Sequence, residues 1–347
     1  DFFGMLTNIT HPEIAIGRYP VSNDSELTTM IDNLRNYTQD PLPGLWRNDV
    51  LLLADDELEG PLTADWGHTV DMEALSQMLN PSINQIKIFA AEYESDEFLN
   101  KPRVRDEVVD HINDGVLIWF YVGHGAFDSL SMQNYFTGSV DLGRFDNPDQ
   151  QILFITAACE VSLFDHWAYD SLGQKVVLLE NAGAIASVGS TRKSFAGPNQ
   201  ELMTIFMPNM INSRMPLGLA LTDAKIRHTG SPANDSYYVI FGDPNLRIVP
   251  PKHNPGLLPE TQNGIYHSRE NASFFGTFYD PDLQGEAIVL AKDAGTNYLV
   301  GGQPVSKPGS MIFRGKASVE NSEVNPSFIV PDDVVSGNNG VLLAYLW

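Results

Sequence analysis

Apolar residues fall along the first 250 positions in two rhythms. Six short runs are almost continuously apolar or alternate with polar residues: Glu13–Tyr19, Asp49–Ala54, Gln85–Ala90, Val116–Val122, Gln151–Ala157 and Gly183–Gly189. Each has strand length and polar or glycine punctuation, which predicts buried strands. Between them the apolar positions recur every three or four residues. Leu27, Met30, Ile31, Leu34 and Tyr37 share one helix face, with Ser22 or Asn23 as the cap. Val104, Val108, Val109 and Ile112 form a second face, opened by Pro102 and closed by Gly115. Leu172, Val176, Val177 and Leu179 form a third that runs toward Gly183, and a further helix is expected over Asp71–Leu79. Apolar strands alternating with helices predict an α/β fold, a mostly parallel sheet covered on both faces.

The rhythm changes after Phe241-Gly-Asp-Pro244. Pro250, Pro251, Pro255 and Pro259 mark a linker, and from about Thr261 helical spacing disappears. Short alternating runs such as Ser273–Tyr279, Glu286–Ala291 and Met311–Ser318, broken by Gly and Pro, predict a small β-sandwich. The expected organisation is therefore two domains, 1–250 and 251–347, which suits a length of 347 residues. No internal repeat or low-complexity tract interrupts it.

Composition narrows the function classes. Lys and Arg number 21 against 44 Asp and Glu, a net charge of −23. A duplex-binding protein needs cations against phosphate, so nucleic acid is not an expected partner. The acidic excess lies almost wholly in the first domain, since the last 97 residues carry 6 basic and 10 acidic side chains. No apolar run approaches the ~20 residues of a spanning helix. Starting at Asp1-Phe-Phe-Gly4 without a basic leader, and stopping at Trp347 just after an apolar run, the chain reads as a fragment of a longer protein.

Cys159 is the only cysteine, so no internal disulfide can form. It follows the Gln151–Ala157 run by two residues, and His124 follows the Val116–Val122 run by two. In an open parallel sheet both would emerge at the carboxyl edge, where ligands bind. A thiol needs a base or an imidazolium partner to act as a nucleophile near neutral pH, and His124 would serve. Gly123 and Gly125 leave backbone N–H groups accessible, so Gly125 and Cys159 are candidates for an oxyanion hole. The alternative is an inert buried cysteine and a turn histidine. Asp55 and Asp56 also follow a strand, Leu51-Leu-Leu53.

An apolar block ending in His-Gly, followed about thirty residues later by one ending in Ala-Cys, resembles the signature of the caspase–legumain–gingipain clan. Glu13-Ile-Ala-Ile-Gly-Arg-Tyr-Pro20, Tyr121-Val-Gly-His-Gly125 and Phe241-Gly-Asp-Pro244 are similar to the gingipain family. Asp1-Phe-Phe-Gly4, Ala54-Asp-Asp56, Ala158-Cys-Glu-Val-Ser-Leu-Phe-Asp165, Gly183-Ala-Ile-Ala186 with Ser190-Thr-Arg192, Ile312-Phe-Arg-Gly315 and Phe328-Ile-Val-Pro-Asp332 resemble, within it, the PorU-type sortases that process C-terminal signals in type IX secretion. The chain departs from that pattern at Ala158, where relatives often have Thr, and over Ala126-Phe-Asp-Ser-Leu130, where relatives carry Trp.

The resemblance implies a caspase-like sheet followed by an immunoglobulin-like domain, on the outer surface of a Gram-negative bacterium. It implies a cysteine peptidase that removes the C-terminal signal of secreted cargo and can pass the acyl group to an amine on anionic lipopolysaccharide. The shuttle barrel protein of the outer membrane is an implied partner. Cys159 is then the nucleophile and His124 the general acid/base. The acid orienting the imidazole is open among Asp55, Asp56 and Glu57, with Asp65, His68 and Asp71 in the following segment; Asp56 is preferred. The strand-end loop Ser187–Phe195, with Ser190, Arg192 and Phe195, is expected to form the first substrate pocket. Arg192 and Lys193 there would disfavour basic side chains, so trypsin-like cleavage is not expected. No cofactor is required. Gingipains bind structural calcium, for which Asp55–Glu59 and Asp146–Asp149 offer oxygen ligands, though without EF-hand spacing.

Overall fold

A computed structural model describes residues 2–7, 11–39, 41–56, 67–248, 255–261, 263–300 and 303–346. Glu57, Glu59, Asp65 and the Pro250-Pro251 linker lie outside the described residues. The chain divides into two compact units, Asp1–Leu42 with Trp46–Ile248, and Pro43–Leu45 with Val249–Trp347.

In the first unit, strands β1 (Asp49–Ala54), β2 (Asn84–Phe89), β3 (Ile118–Val122), β7 (Ile152–Ala157), β8 (Ala184–Ser190) and β9 (Tyr238–Phe241) form one sheet in the order β2-β1-β3-β7-β8-β9. Every pairing is parallel except β8 with β9. A small three-stranded sheet, β4 (Gly125–Ala126), β5 (Ser129–Leu130) and β6 (Phe136–Thr137), follows β3 directly. The helices are α1 (Asp24–Gln39), α2 (Gly67–Met78), α3 (Pro102–Asp114), α4 (Gly138–Asp141), α5 (Leu172–Val177), α6 (Ala196–Ile211), α7 (Leu217–Arg227) and α8 (Pro232–Ser236).

Central strands are apolar throughout because both faces are covered. Leu51, Leu53, Trp119, Tyr121, Ile152 and Phe154 point to the face packed by Val104, Val108 and Ile112 of α3 and Val176 of α5. The alternate residues face the layer where α2 and α6 meet the sheet. Helix α3 has the predicted ends: Pro102 occupies its first turn, and Gly115, at φ 99°, terminates it with an N–H bonded to His111 and Ile112. Asn23 caps α1, its Oδ1 accepting the Glu26 N–H at 3.0 Å while Glu26 accepts the Ser22 N–H.

Several expectations need correction. Glu13–Tyr19 is not a strand; only Arg18 bridges β9, through its N–H to Ile240 and its carbonyl to Gly242. The buried stripe of α1 is Met30, Asn33 and Tyr37, leaving Leu27 and Ile31 more than a third exposed at its margin. Helix α5 stops at Val177 and is started by a capping box between Ser171 and Gln174. Helices α6 and α7 lie beyond the predicted set. Leu202, Met203, Phe206, Met207, Met210 and Ile211 of α6 form a buried stripe that Asn199 begins, while Glu201 across the helix is exposed.

The second unit is wholly antiparallel. Its strands are β10 (Gly256–Pro259), β11 (Asn271–Thr277), β12 (Gly285–Lys292), β13 (Thr296–Val300), β14 (Gln303–Lys307), β15 (Met311–Glu320), β16 (Glu323–Val324), β17 (Ser327–Ile329) and β18 (Val341–Tyr345). The expected sandwich is not shown by these pairings: one sheet runs β10-β11-β16-β15-β12-β18, with β17 also on β11 and β13-β14 as a separate hairpin. Its end strands β10 and β18 approach each other, so the sheet nearly closes into a barrel. Among the described residues, no helix is long and apolar enough to cross a membrane.

Candidate active site

Strands β3 and β7 are neighbours, with Val122 level with Ala157. The Gly123 N–H reaches the Ala157 carbonyl at 3.4 Å and carries the ladder one step further. His124 and Cys159 each lie two residues beyond the Val122–Ala157 pair. They therefore leave the carboxyl edge at matching positions on strands spaced about 4.8 Å apart.

The backbone of His124 is fixed from below. Asp55, at the end of β1, accepts its N–H on Oδ2 at 3.0 Å. The Tyr121 phenol lies 2.7 Å from the His124 carbonyl and 3.1 Å from the same Asp55 oxygen, donating between them. Burial pushes the Asp55 carboxyl above its ordinary range, opposed by the His124 N–H and the nearby His68. Burial, followed by the charge of Asp55, likewise raises the Tyr121 phenol and keeps it protonated as a donor.

The flanking glycines are needed for close approach. A Cβ on Gly123 would lie 2.3 Å from the Tyr121 hydroxyl and 2.4 Å from Asp55 Cβ; one on Gly125 would lie 2.8 Å from the Cys159 carbonyl and 2.9 Å from Ala158 Cβ. Gly125 opposes Leu130 in the β4–β5 hairpin, and Ser131 donates to His124 across it. That bond marks Gly125–Leu130 as a pair without mutual hydrogen bonds, so the Gly125 N–H points away from β5. Against the other side of the imidazole stands His68 of α2, its ring centroid 5.5 Å from that of His124 and the planes at 85°. His68 is 5% exposed.

Cys159 is half-buried, and its sulfur lies against Ser194. Sγ donates to the Ser194 carbonyl at 3.3 Å and accepts the Ser194 N–H at 3.4 Å. The turn after the cysteine is stitched to the chain leaving β8: Glu160 donates to the Arg192 carbonyl at 3.1 Å and Ser162 to the Ser190 carbonyl at 2.9 Å. Glu160 itself adopts φ 56°, left-handed for a non-glycine residue, at a cost of about 1 kcal/mol or more. Such strain survives where the surroundings dictate the turn.

The other candidates are placed differently from expectation. Asp56 is not directed at the imidazole. Its carboxylate is buried against the Lys101 ammonium at 2.5 Å, and Lys101 also donates to the Ala90 carbonyl at 2.6 Å. Asp55, one residue earlier, is the acid that touches His124, through the backbone rather than the ring. Ser190 is fully buried, with its hydroxyl donated to the Arg192 carbonyl at 2.8 Å, so it offers nothing to a ligand. Arg192 is engaged bidentately by Asp165 at 2.6 and 3.1 Å, which holds that carboxyl below its usual range and cancels the expected free cation. Lys193 is exposed, and Phe195 is 69% exposed at the start of α6.

Of the loops offered for calcium, Asp55 and Asp56 are engaged by His124, Tyr121 and Lys101, and Glu57–Glu59 lie outside the described residues; no group of three or more His, Cys, Asp or Glu side chains gathers among the described residues. The residues missed from the sequence are Tyr121 and Ser194, with Asn199 and Asn234 behind Ser194. Tyr121 is masked by sitting in an apolar strand run, and the others are small polar residues whose role depends wholly on tertiary contact.

An imidazole and a thiol at matching strand ends, with the Gly125 and Cys159 N–H groups close by, can carry out acyl transfer. The model of peptidase family C25 matches residues 1–249. Comparison with curated proteins finds no match. Among solved structures the chain is similar to the Arg-specific cysteine proteinase gingipain R, at 16% identity and TM-score 0.62 over 99% of this chain and 77% of that one. It is also similar to the complex of Porphyromonas gingivalis RgpB pro- and mature domains, at 15% identity and TM-score 0.60 over 100% of this chain and 77% of that one. At these identities the structural likeness speaks for the fold.

Proposed function

This chain belongs to peptidase family C25, the gingipain-like cysteine peptidases, and from that premise we propose that Cys159 is its nucleophile and His124 its general acid/base. The observation that carries the assignment is the β3–β7 register, which brings these two side chains to one edge of the sheet from segments 35 residues apart in sequence. The Cys159 thiolate adds to the acyl carbon of the scissile bond, and the oxyanion is met by the Gly125 and Cys159 N–H groups. As the C–N bond breaks, His124 gives its proton to the leaving amine. The thioester is then attacked by water or by a second amine, whose proton returns to His124.

The proposed physiological role is that of a type IX sortase at the outer-membrane surface of a Gram-negative bacterium. It cuts the C-terminal signal from cargo, hands the acyl group to an amine on anionic lipopolysaccharide, and works beside the outer-membrane shuttle protein. The ordered motifs from Ala54-Asp-Asp56 to Phe328-Ile-Val-Pro-Asp332 support this reading. An immunoglobulin-like fold for the second unit is part of the same proposal and rests on the same motifs. A general secreted endopeptidase is the competing reading, favoured by the fold shared with gingipain R.

Peptide chloromethyl ketones of several side-chain types should alkylate Cys159, seen as a single mass adduct lost in Cys159→Ala. A folded enzyme whose thiol reacts with none of them would refute the nucleophile. Incubation of signal-bearing cargo with a small amine separates the two roles: an amide-linked product supports the sortase, and hydrolysis alone supports the endopeptidase.

A further inference from the structure

Both backbone groups of Ser194 are spent on one sulfur atom, and a loop does not hold a peptide at that angle unaided. Two buried asparagines do so here. Asn234 of α8 accepts the Phe195 N–H on Oδ1 at 3.0 Å and donates its amide to Asn199 Oδ1 at 3.0 Å. Asn199, in the first turn of α6, donates in turn to the Ser194 hydroxyl at 3.0 Å. The circuit closes on the 194–195 segment from both ends. Asn199 is 3% exposed and Asn234 2%, so water does not compete for these bonds.

The helices that carry the asparagines are tied together a second time. His228 meets Asp235 of α8 through Nδ1 at 2.9 Å and Glu201 of α6 through Nε2 at 2.8 Å. A rigid frame thus stands behind Ser194.

We propose that Asn199 and Asn234 are positioning residues for the nucleophile, holding the Ser194 peptide so that its N–H and carbonyl fix the direction of the Cys159 sulfur. The inference rests on the reading of Cys159 as the nucleophile. In the resting thiol, S–H donates to the Ser194 carbonyl and Sγ accepts the N–H. The S–H bond is weak, because a thiol is a poor donor, so the sulfur keeps its direction only while the Ser194 peptide is itself held in place.

The test is inactivation of Cys159 by a peptide chloromethyl ketone, followed by mass spectrometry and resolved into kinact and KI. Asn199→Ala and Asn234→Ala should lower kinact about three- to tenfold with KI little changed. Ser194→Ala should behave like them, whereas Ser194→Thr, which keeps the hydroxyl, should match wild type. The Ser194 pair decides the matter if either asparagine variant fails to fold by circular dichroism. An unchanged kinact, or a loss carried by KI alone, would overturn the proposal. A folded wild type whose thiol no chloromethyl ketone alkylates would instead refute the nucleophile reading beneath it.

Discussion

The rings of His68 and His124 meet edge to face, 5.5 Å between centroids, and His68 is buried. His68 comes from the start of α2, Asp55 from the end of β1 and Tyr121 from β3. Three elements therefore converge on a single two-residue turn. The backbone of that turn is held by Asp55 and Tyr121, and the ring is walled by His68.

Removing the wall should affect chemistry before stability. In His68→Ala the His124 ring gains room to rotate, and misplacement by an ångström is worth up to about a hundredfold in rate. The expected result is a fall in kcat of tenfold or more against a peptide substrate, with KM little changed. His68→Phe, which restores an edge-to-face ring, should recover most of the loss. Unchanged kcat in His68→Ala would mean that the ring is positioned without it.

The Lys101–Asp56 pair makes the opposite prediction, a structural one. Both side chains are almost fully buried, and breaking such a pair leaves an uncompensated charge. Lys101→Met should cost about 3–5 kcal/mol in urea unfolding, and Asp56→Leu alone a similar amount. The double variant should recover much of this, because neither charge is then stranded. Equal losses in the double and single variants would show that the pair contributes net stability.

Arg192 tests where specificity comes from. Its bridge to Asp165 is about half exposed on both sides, so Arg192→Ala should change stability by less than about 1 kcal/mol. What changes is the charge near the 190–195 loop, since Asp165 is left facing it without its cation. Fluorogenic peptides with Arg or Lys at the cleaved position should gain in kcat/KM relative to those with Ala or Leu. An unaltered ranking would place Asp165 outside the substrate's field.

The sequence was legible where one-dimensional pattern and structure share a cause. Val116–Val122 and Gln151–Ala157 are apolar because both sheet faces are covered, and that same burial sends His124 and Cys159 to one edge. Pro102 and Gly115 bound α3 for purely local reasons. Legibility failed where tertiary contact decides. Asp55 and Asp56 are adjacent acids after the same strand, yet one faces a backbone N–H and the other a lysine arriving from 45 residues away. No spacing rule separates them. Arg192 reads as a free cation until the fold brings Asp165 across to it. Helix α6 is harder to read because polar Asn199 sits on its buried face while apolar Ile205 and Pro208 lie off it.

Lys225 supplies a prediction about pH. It is buried in α7 with Nζ donating to the Tyr238 carbonyl at 2.8 Å, and burial, partly offset by Asp235, lowers its pKa to about 7. In the unfolded chain the amine holds its proton to its ordinary value of 10.5. Between these limits the unfolded state binds more protons than the folded one, so this group makes stability rise with pH, by up to about 1.4 kcal/mol per unit. Below pH 7 both states are protonated and the penalty is constant, on the order of 4–5 kcal/mol. Lys225→Met removes the penalty, and with it the bond to Tyr238. Urea unfolding of both proteins at pH 7 and pH 9 isolates the lysine, because the remaining titrating groups are common to the pair. The variant should be the more stable at pH 7, and its advantage should shrink or reverse by pH 9. A difference that does not vary between the two pH values would show that the buried amine keeps its proton in the folded protein.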